Sequence, residues 1–201
     1  MDLMDSFDTL RGLLTKDRSV RRFCQHERIS DATLTRLVDL TRLCASGRNL
    51  QPLRYRLVSS PEECQHVFPM LAWAGYLTDW DGPAEGERPA AYIRQCLDTS
   101  LTANCLCDDG LHLQTLTLGA CAMGIGACII KSFKADSLHA MLGLDSSLKI
   151  LYVLALGYPA EDFRIEDTDG THDADIRYYR TKDGIHHVPK RPTEELIVKV
   201  S

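Results

Sequence analysis

The chain has 201 residues, 44% of them hydrophobic and 25% charged, with a formal net charge of -5 and a pI near 5.8. That length supports a single domain over 1–201, with an arm from about 160 to 201; such a chain buries roughly 70% of its unfolded surface and needs neither disulfide nor metal to hold a core. The acidic balance argues against general nucleic-acid binding, and no run approaches the ~20 apolar residues of a membrane span.

In chain order, Leu3, Phe7, Leu10 and Leu14 recur at helical spacing and predict an opening amphipathic helix. Its acidic residues stand where a secretory leader carries positive charge, which points to the cytoplasm. Ser30-Asp31 can cap a second helix whose inner face is Leu34, Leu37, Val38 and Thr41, with Gly47 beyond its end. "PLRYRLVSS" alternates as a half-buried strand, with Leu53, Tyr55 and Leu57 inward. Ser60-Pro61-Glu62-Glu63 opens a short helix. Residues 79–90 hold turn chemistry and read as a surface excursion, followed by the strand "AAYIRQCLD".

Asp108-Asp109 open the most apolar helix, running to about Met123, and apolarity on more than one face places it in the interior. "GACIIKSF" and "KILYVLALGYP" are strands separated by a helix from about Ser137 to Leu142. The last forty or so residues are polar, with turn clusters "TDGTHD" and "KDGIHH", and read as an arm lying over a surface rather than a second core. Strands interleaved with helices give an α+β fold with a mixed sheet flanked by helices.

Several motifs are excluded by their context. Gly124-Ile125-Gly126 follows a helix and precedes a strand, the reverse of a dinucleotide fingerprint, so Gly124 reads as a left-handed helix stop. The eight cysteines match no zinc spacing and read as small buried hydrophobes. His186-His187 falls in a polar turn and reads as exposed. No GxSxG elbow points to hydrolysis.

Two stretches remain. "KDRSVRRF" gathers four basic residues in an acidic chain: a solvated helix end, or two guanidinium forks and a hydroxyl for one phosphate. "CASGRNLQPLRY" is a small, polar, turn-rich helix-to-strand junction whose amides could meet a polar ring edge.

R-S-x-R-x-F followed some 25 residues later by S-G-x-N-x-Q-P resembles the FMN-dependent nitroreductase family. "DDGLHLQTLTLGACAMGIGACIIKSF", "YVLALGYPAE" and "HHVPKRPTEELI" resemble that family's central helix with its Gly-x-Gly turn and flavin-edge strand, its penultimate segment, and its closing element. The resemblance implies an interlocked homodimer with FMN at the subunit interface. It assigns Arg18, Ser19 and Arg21 to the phosphate and ribityl chain, and leaves Lys16 and Arg22 as bystanders. Ser46 and Gly47 would approach the flavin, Asn49 would reach it from the partner, and Gln51 would support that loop. Ile129, Ile130, Lys131 and Ser132 would line the N5 and O4 edge largely through backbone groups, and Lys190 and Arg191 would return to the phosphate.

The implied activity is hydride transfer from NAD(P)H to a small electron-poor acceptor, a nitroaromatic or quinone, with ping-pong kinetics. The flavin carries the chemistry, and no side chain is assigned as acid or base. Leu53 stands where the family often has Trp, Asp17 where it often has a second basic residue, and Lys131-Ser132 replaces a more usual pair. The departures at Leu53 and Lys131 motivate a second reading, a flavin-binding protein without turnover, and a third is a cysteine-based metal or redox protein.

Overall fold

The structure, a computed structural model, describes residues 3–141, 143–169 and 176–198. Leu142 and most of the turn expected at 168–173 lie outside the described residues. The chain divides into two compact units: Met1–Trp73 with Gly82–Ala160, and Ala74–Asp81 with Glu161–Ser201.

The first unit begins with α1 (Leu3–Lys16) and α2 (Asp31–Thr41). It continues through β1 (Leu53–Val58), α3 (Pro61–Val67), β2 (Ala91–Asp98) and α4 (Asp108–Ala122). β3 (Gly126–Ile130), α5 (Ala135–Met141) and β4 (Leu148–Gly157) complete it. Local chemistry sets the helix starts. The Ser30 hydroxyl accepts from the Thr33 amide at 3.2 Å, and the Ser60 hydroxyl accepts from the Glu63 amide at 3.2 Å with Pro61 opening α3.

The four strands lie in the order β1-β2-β4-β3 and every pair is antiparallel. Among the described residues, a parallel neighbour enters this unit only at the bridge between Ser19 and Ala127. On one face, Ile93, Leu154 and Leu156 pack with Leu34 and Leu37 of α2 and Leu116 and Ala120 of α4. Leu116 is fully buried, and truncating such a leucine to alanine typically costs about 2–5 kcal/mol. The α+β arrangement is the one the sequence indicates. The cysteines follow the buried reading only in part: Cys64, Cys96, Cys105 and Cys128 are buried, Cys24, Cys44 and Cys121 are half-buried, and Cys107 is exposed.

The glycine pair around the α4–β3 turn has two separate jobs. Gly124 ends the helix at φ 72°, the left-handed stop. Gly126 pairs with Gly157 across β3 and β4, and side chains there would strike Val20 at 2.6 Å and Phe23 at 2.7 Å. The missing side chains let the segment after α1 lie directly on the sheet.

The second unit holds β5 (Phe163–Asp167), β6 (Tyr179–Arg180), β7 (His186–Lys190) and α6 (Thr193–Leu196). Its strands run in the order β5-β7-β6, parallel for β5 and β7 and antiparallel for β7 and β6. A small sheet thus stands in the polar stretch. His186 and His187 are buried rather than exposed, at 1% and 6%. His186 stacks with Tyr178 at 5.3 Å between ring centroids, and His187 Nδ1 meets Glu166 Oε1 at 2.5 Å. Aromatic stacking and a carboxylate partner allow both imidazoles inside.

Candidate functional site

The basic segment leaves α1 and runs beside β3. The Val20 amide donates to the Ala127 carbonyl at 2.9 Å, and Ser19 bridges Ala127 in parallel. Farther along, the Cys24 amide donates to Tyr158 O at 2.8 Å, and the Ala160 amide donates to Arg22 O at 2.9 Å. Asp17 anchors the segment to α4: its Oδ2 accepts from Thr117 Oγ1 at 2.7 Å and from Gln114 Nε2 at 2.8 Å. An acid suits this position, where the family often has a basic residue, because a helix on the inner side supplies two donors.

The four basic residues separate physically. Arg18 donates through one terminal nitrogen to Leu14 O at 2.6 Å, while its Nε is buried with no hydrogen-bond partner among the described residues. Arg21 is 9% exposed and donates to the Ser19 carbonyl at 3.1 Å. Arg22 instead meets Glu87 at 3.4 Å, and Lys16 is exposed at the end of α1. The Ser19 side chain is exposed. Arg18, Ser19 and Arg21 thus form one short stretch tied to β3.

β3 is an edge strand. Antiparallel strands alternate residues whose backbone groups face the partner with residues whose groups face away. The Ala127 carbonyl points away from β4, toward Val20. By the same alternation the N–H and C=O of Ile129 point outward, where the described residues place no strand beside them. The Ile129 side chain is 43% exposed and that of Ile130 is 5% exposed. Lys131 rests its ammonium 5.3 Å from the centroid of the Tyr152 ring, a cation–π contact. The Ser132 carbonyl accepts from the Ala72 amide at 2.9 Å, which closes the edge beyond that point.

The second stretch is built around a residue the sequence reading took only as a helix start. Asp108, at the start of α4, is 1% exposed. Its Oδ2 accepts from Ser46 Oγ at 2.6 Å and its Oδ1 from the Gly47 amide at 2.9 Å. Ser46 Oγ in turn accepts from the Gln51 amide at 2.9 Å, and Gln51 Nε2 donates to Asn49 Oδ1 at 3.1 Å. The loop carries left-handed backbone at Arg48, Asn49 and Gln51, with φ of 55°, 55° and 48°. Left-handed non-glycine residues cost energy and persist where surrounding bonds fix them; here the Asp108 carboxylate is that fixture. The Ser46 hydroxyl is occupied within the loop, and Asn49 is exposed. The signal available in the sequence was the doubled acid Asp108-Asp109, since one carboxylate already suits a helix start.

Below this loop, Tyr55 Oη and His112 Nδ1 meet at 2.6 Å. Burial pushes the Tyr55 phenol up to about 12 and holds the His112 imidazole below its usual range. The pair is therefore neutral near pH 7 and shares one hydrogen bond. Lys190 and Arg191 lie in the second unit, where Lys190 ends β7 and Arg191 pairs with Glu195 at 3.1 Å.

Residues 106–158 match the family model described as the nitroreductase family. Among solved structures, the chain is similar to a nitroreductase family protein from Clostridium difficile 630, at 17% identity over 94% of this chain and 96% of that one, with a TM-score of 0.63. It is similar to an FMN-dependent nitroreductase from Clostridium difficile R20291, at 17% identity over 76% and 88%, TM-score 0.62. It is also similar to a Parabacteroides distasonis protein named as an NADH dehydrogenase/NAD(P)H nitroreductase, at 21% identity over 77% and 89%, TM-score 0.63. The fold is that of the nitroreductases, and the resemblance read in the sequence is borne out.

Proposed function

Taking the nitroreductase fold as the premise, we propose that this chain is an FMN-dependent oxidoreductase that uses NAD(P)H to reduce a small electron-poor acceptor such as a nitroaromatic or quinone. The observation that carries the reading is the open edge of β3 at Ile129, just beyond the point where the Arg18–Arg21 segment pairs with Ala127. An outward N–H and C=O offer a ring edge the hydrogen bonds a neighbouring strand would take. Arg18 and Arg21 offer cationic donors to a phosphate, and the buried Arg18 Nε, without a partner among the described residues, is a donor that such an anion would satisfy. The residues present therefore fit FMN.

In this reading Arg18, Ser19 and Arg21 hold the phosphate end, and the backbone of Ile129 to Ser132 meets the ring edge. Gly47 and Asn49 shape the ring's surroundings in a loop braced by Ser46, Gln51 and Asp108. When bound, FMN supplies two-electron transfer from NAD(P)H to the acceptor. The protein's own residues bind, orient and restrict water; no side chain is assigned a proton-transfer role. Two copies complete the site, with Asn49 contributed by the partner. The apolar stripe of α1 supports association: Leu3, Phe7, Leu10 and Leu14 are 87%, 62%, 48% and 41% exposed, and a row of this kind marks an interaction surface.

Steady-state kinetics with NADH or NADPH and a quinone test the reading. The expected result is turnover with parallel double-reciprocal lines. Stoichiometric flavin without turnover would instead support the flavin-binding protein lacking activity, a reading favoured by Lys131 lying on Tyr152 rather than toward the open edge.

A further inference from the structure

The strand β2 carries an unusual charge. Arg94 is 0% exposed, and none of its three guanidinium nitrogens has a hydrogen-bond partner among the described residues. It lies opposite Arg56 on β1 and Val153 on β4. Arg56 is already committed to Glu63 at 2.5 Å. A buried cation without a hydrogen-bonded counterion is expensive, and the carboxylate that acts on it, Glu63, is shared with Arg56.

Two residues back on the same face of β2, Tyr92 is also 0% exposed and its hydroxyl has no partner among the described residues. Tyr92 lines a small cavity of about 30 Å³ together with Arg28, Arg88, Gln25, Gln65 and Cys64, between the loop after Phe23, the start of α3 and the start of β2. No carboxylate of the described residues lines it. The buried Nε of Arg88 has no partner among them either, and its guanidinium lies 4.4 Å over the Phe68 ring. Arg28 uses one nitrogen on Ser59 O at 2.7 Å. Gln25 Oε1 already accepts from the Gly86 and Arg88 amides at 2.7 and 3.2 Å, and Cys64 Sγ donates to Ala90 O at 3.5 Å. Gln25 Oε1 is thus already taken as an acceptor, and Arg28, Arg88 and Tyr92 bring donors to this wall. Arg94 does not line the cavity, but its charge acts on both Tyr92 and Cys64, which do.

We infer that this cavity is a binding site for a small inorganic anion of halide size, held by the Tyr92 hydroxyl and the Arg88 and Arg28 guanidinium groups and compensating the buried charge of Arg94. The volume suits a small occupant: a space of this measure holds one or two water-sized particles. The site is separate from the proposed flavin site, and it stands or falls independently of it.

Bromide is the probe. Crystals of the full chain grown in sodium bromide should show an anomalous peak within hydrogen-bonding distance of Tyr92 Oη. In solution, about 0.2 M bromide should raise the thermal midpoint by roughly 3 °C over gluconate at equal ionic strength. That difference should vanish in Tyr92→Phe and in Arg88→Gln; if one variant does not fold, the other carries the comparison. Water density without anomalous signal would overturn the inference. A peak with no salt-specific stabilisation would mean an adventitious ion only, and a bromide effect that survives in a folded variant would place the ion elsewhere; either result overturns it too.

Discussion

Ser46 Oγ donates to the buried carboxylate of Asp108 at 2.6 Å, across 62 positions of sequence, and the neighbouring Gly47 amide takes the other oxygen at 2.9 Å. One side chain at a helix start thereby fixes a loop with three left-handed non-glycine residues. Hydrogen bonds to a charged group contribute about 1.5–3 kcal/mol each, enough to offset strain of roughly 1–3 kcal/mol per residue only when several act together.

Asp108→Ala is therefore expected to lower unfolding free energy by about 2–4 kcal/mol and to weaken FMN binding, because the loop loses both anchors. Asp109→Ala, whose carboxylate accepts from the adjacent Gly110 amide at 2.8 Å, should change stability by less than about 1 kcal/mol. Urea denaturation of the two variants checks the contrast.

The arginines should divide the same way. Arg21→Ala should weaken FMN binding about ten- to a hundredfold, the loss of one charge-assisted phosphate contact. Arg22→Ala, which removes the pair with Glu87, should change flavin affinity less than about threefold. Fluorescence titration with FMN measures both.

A third expectation concerns assembly. Phe7→Asp with Leu10→Asp places charge in the exposed apolar stripe of α1. In the proposed homodimer this double variant sediments as a monomer and loses flavin, since the partner supplies Asn49. Sedimentation velocity together with the flavin absorbance reads both effects.

The His112–Tyr55 pair carries a pH dependence. Burial lowers the His112 pKa in the folded state from 6.5. As pH falls through 6.5 the unfolded chain binds the proton first, so stability is full above that value and declines toward the depressed folded pKa. His112→Gln should flatten this part of the stability profile, measured as denaturation midpoint against pH.

Local chemistry made much of the first unit legible. Ser30 and Ser60 announced helix starts, apolar spacing announced α4 as interior, and Gly124 announced a helix stop. Charge density marks the stretch holding Arg18, Ser19 and Arg21, but it leaves a solvated helix end and an anion socket equally open; only the paired motif downstream, with its family resemblance, separates these three from Lys16 and Arg22. The Asp108 clasp was not legible, because its partners are 61 and 62 residues away and a carboxylate at a helix start already has a local explanation. His186 and His187 were misread for a related reason: turn residues upstream suggested exposure, while their burial depends on Tyr178 and Glu166, which local pattern does not bring together. The role of Asp17 likewise appears only when Gln114 and Thr117, about a hundred positions on, arrive beside it.

Everything proposed for the site depends on this fold holding FMN, and the decisive quantity is the flavin released when the purified protein is denatured. The expected result is a yellow protein that yields about one FMN per chain, identified by its phosphate through chromatography. A colourless protein that remains without flavin after incubation with excess FMN would contradict the proposal.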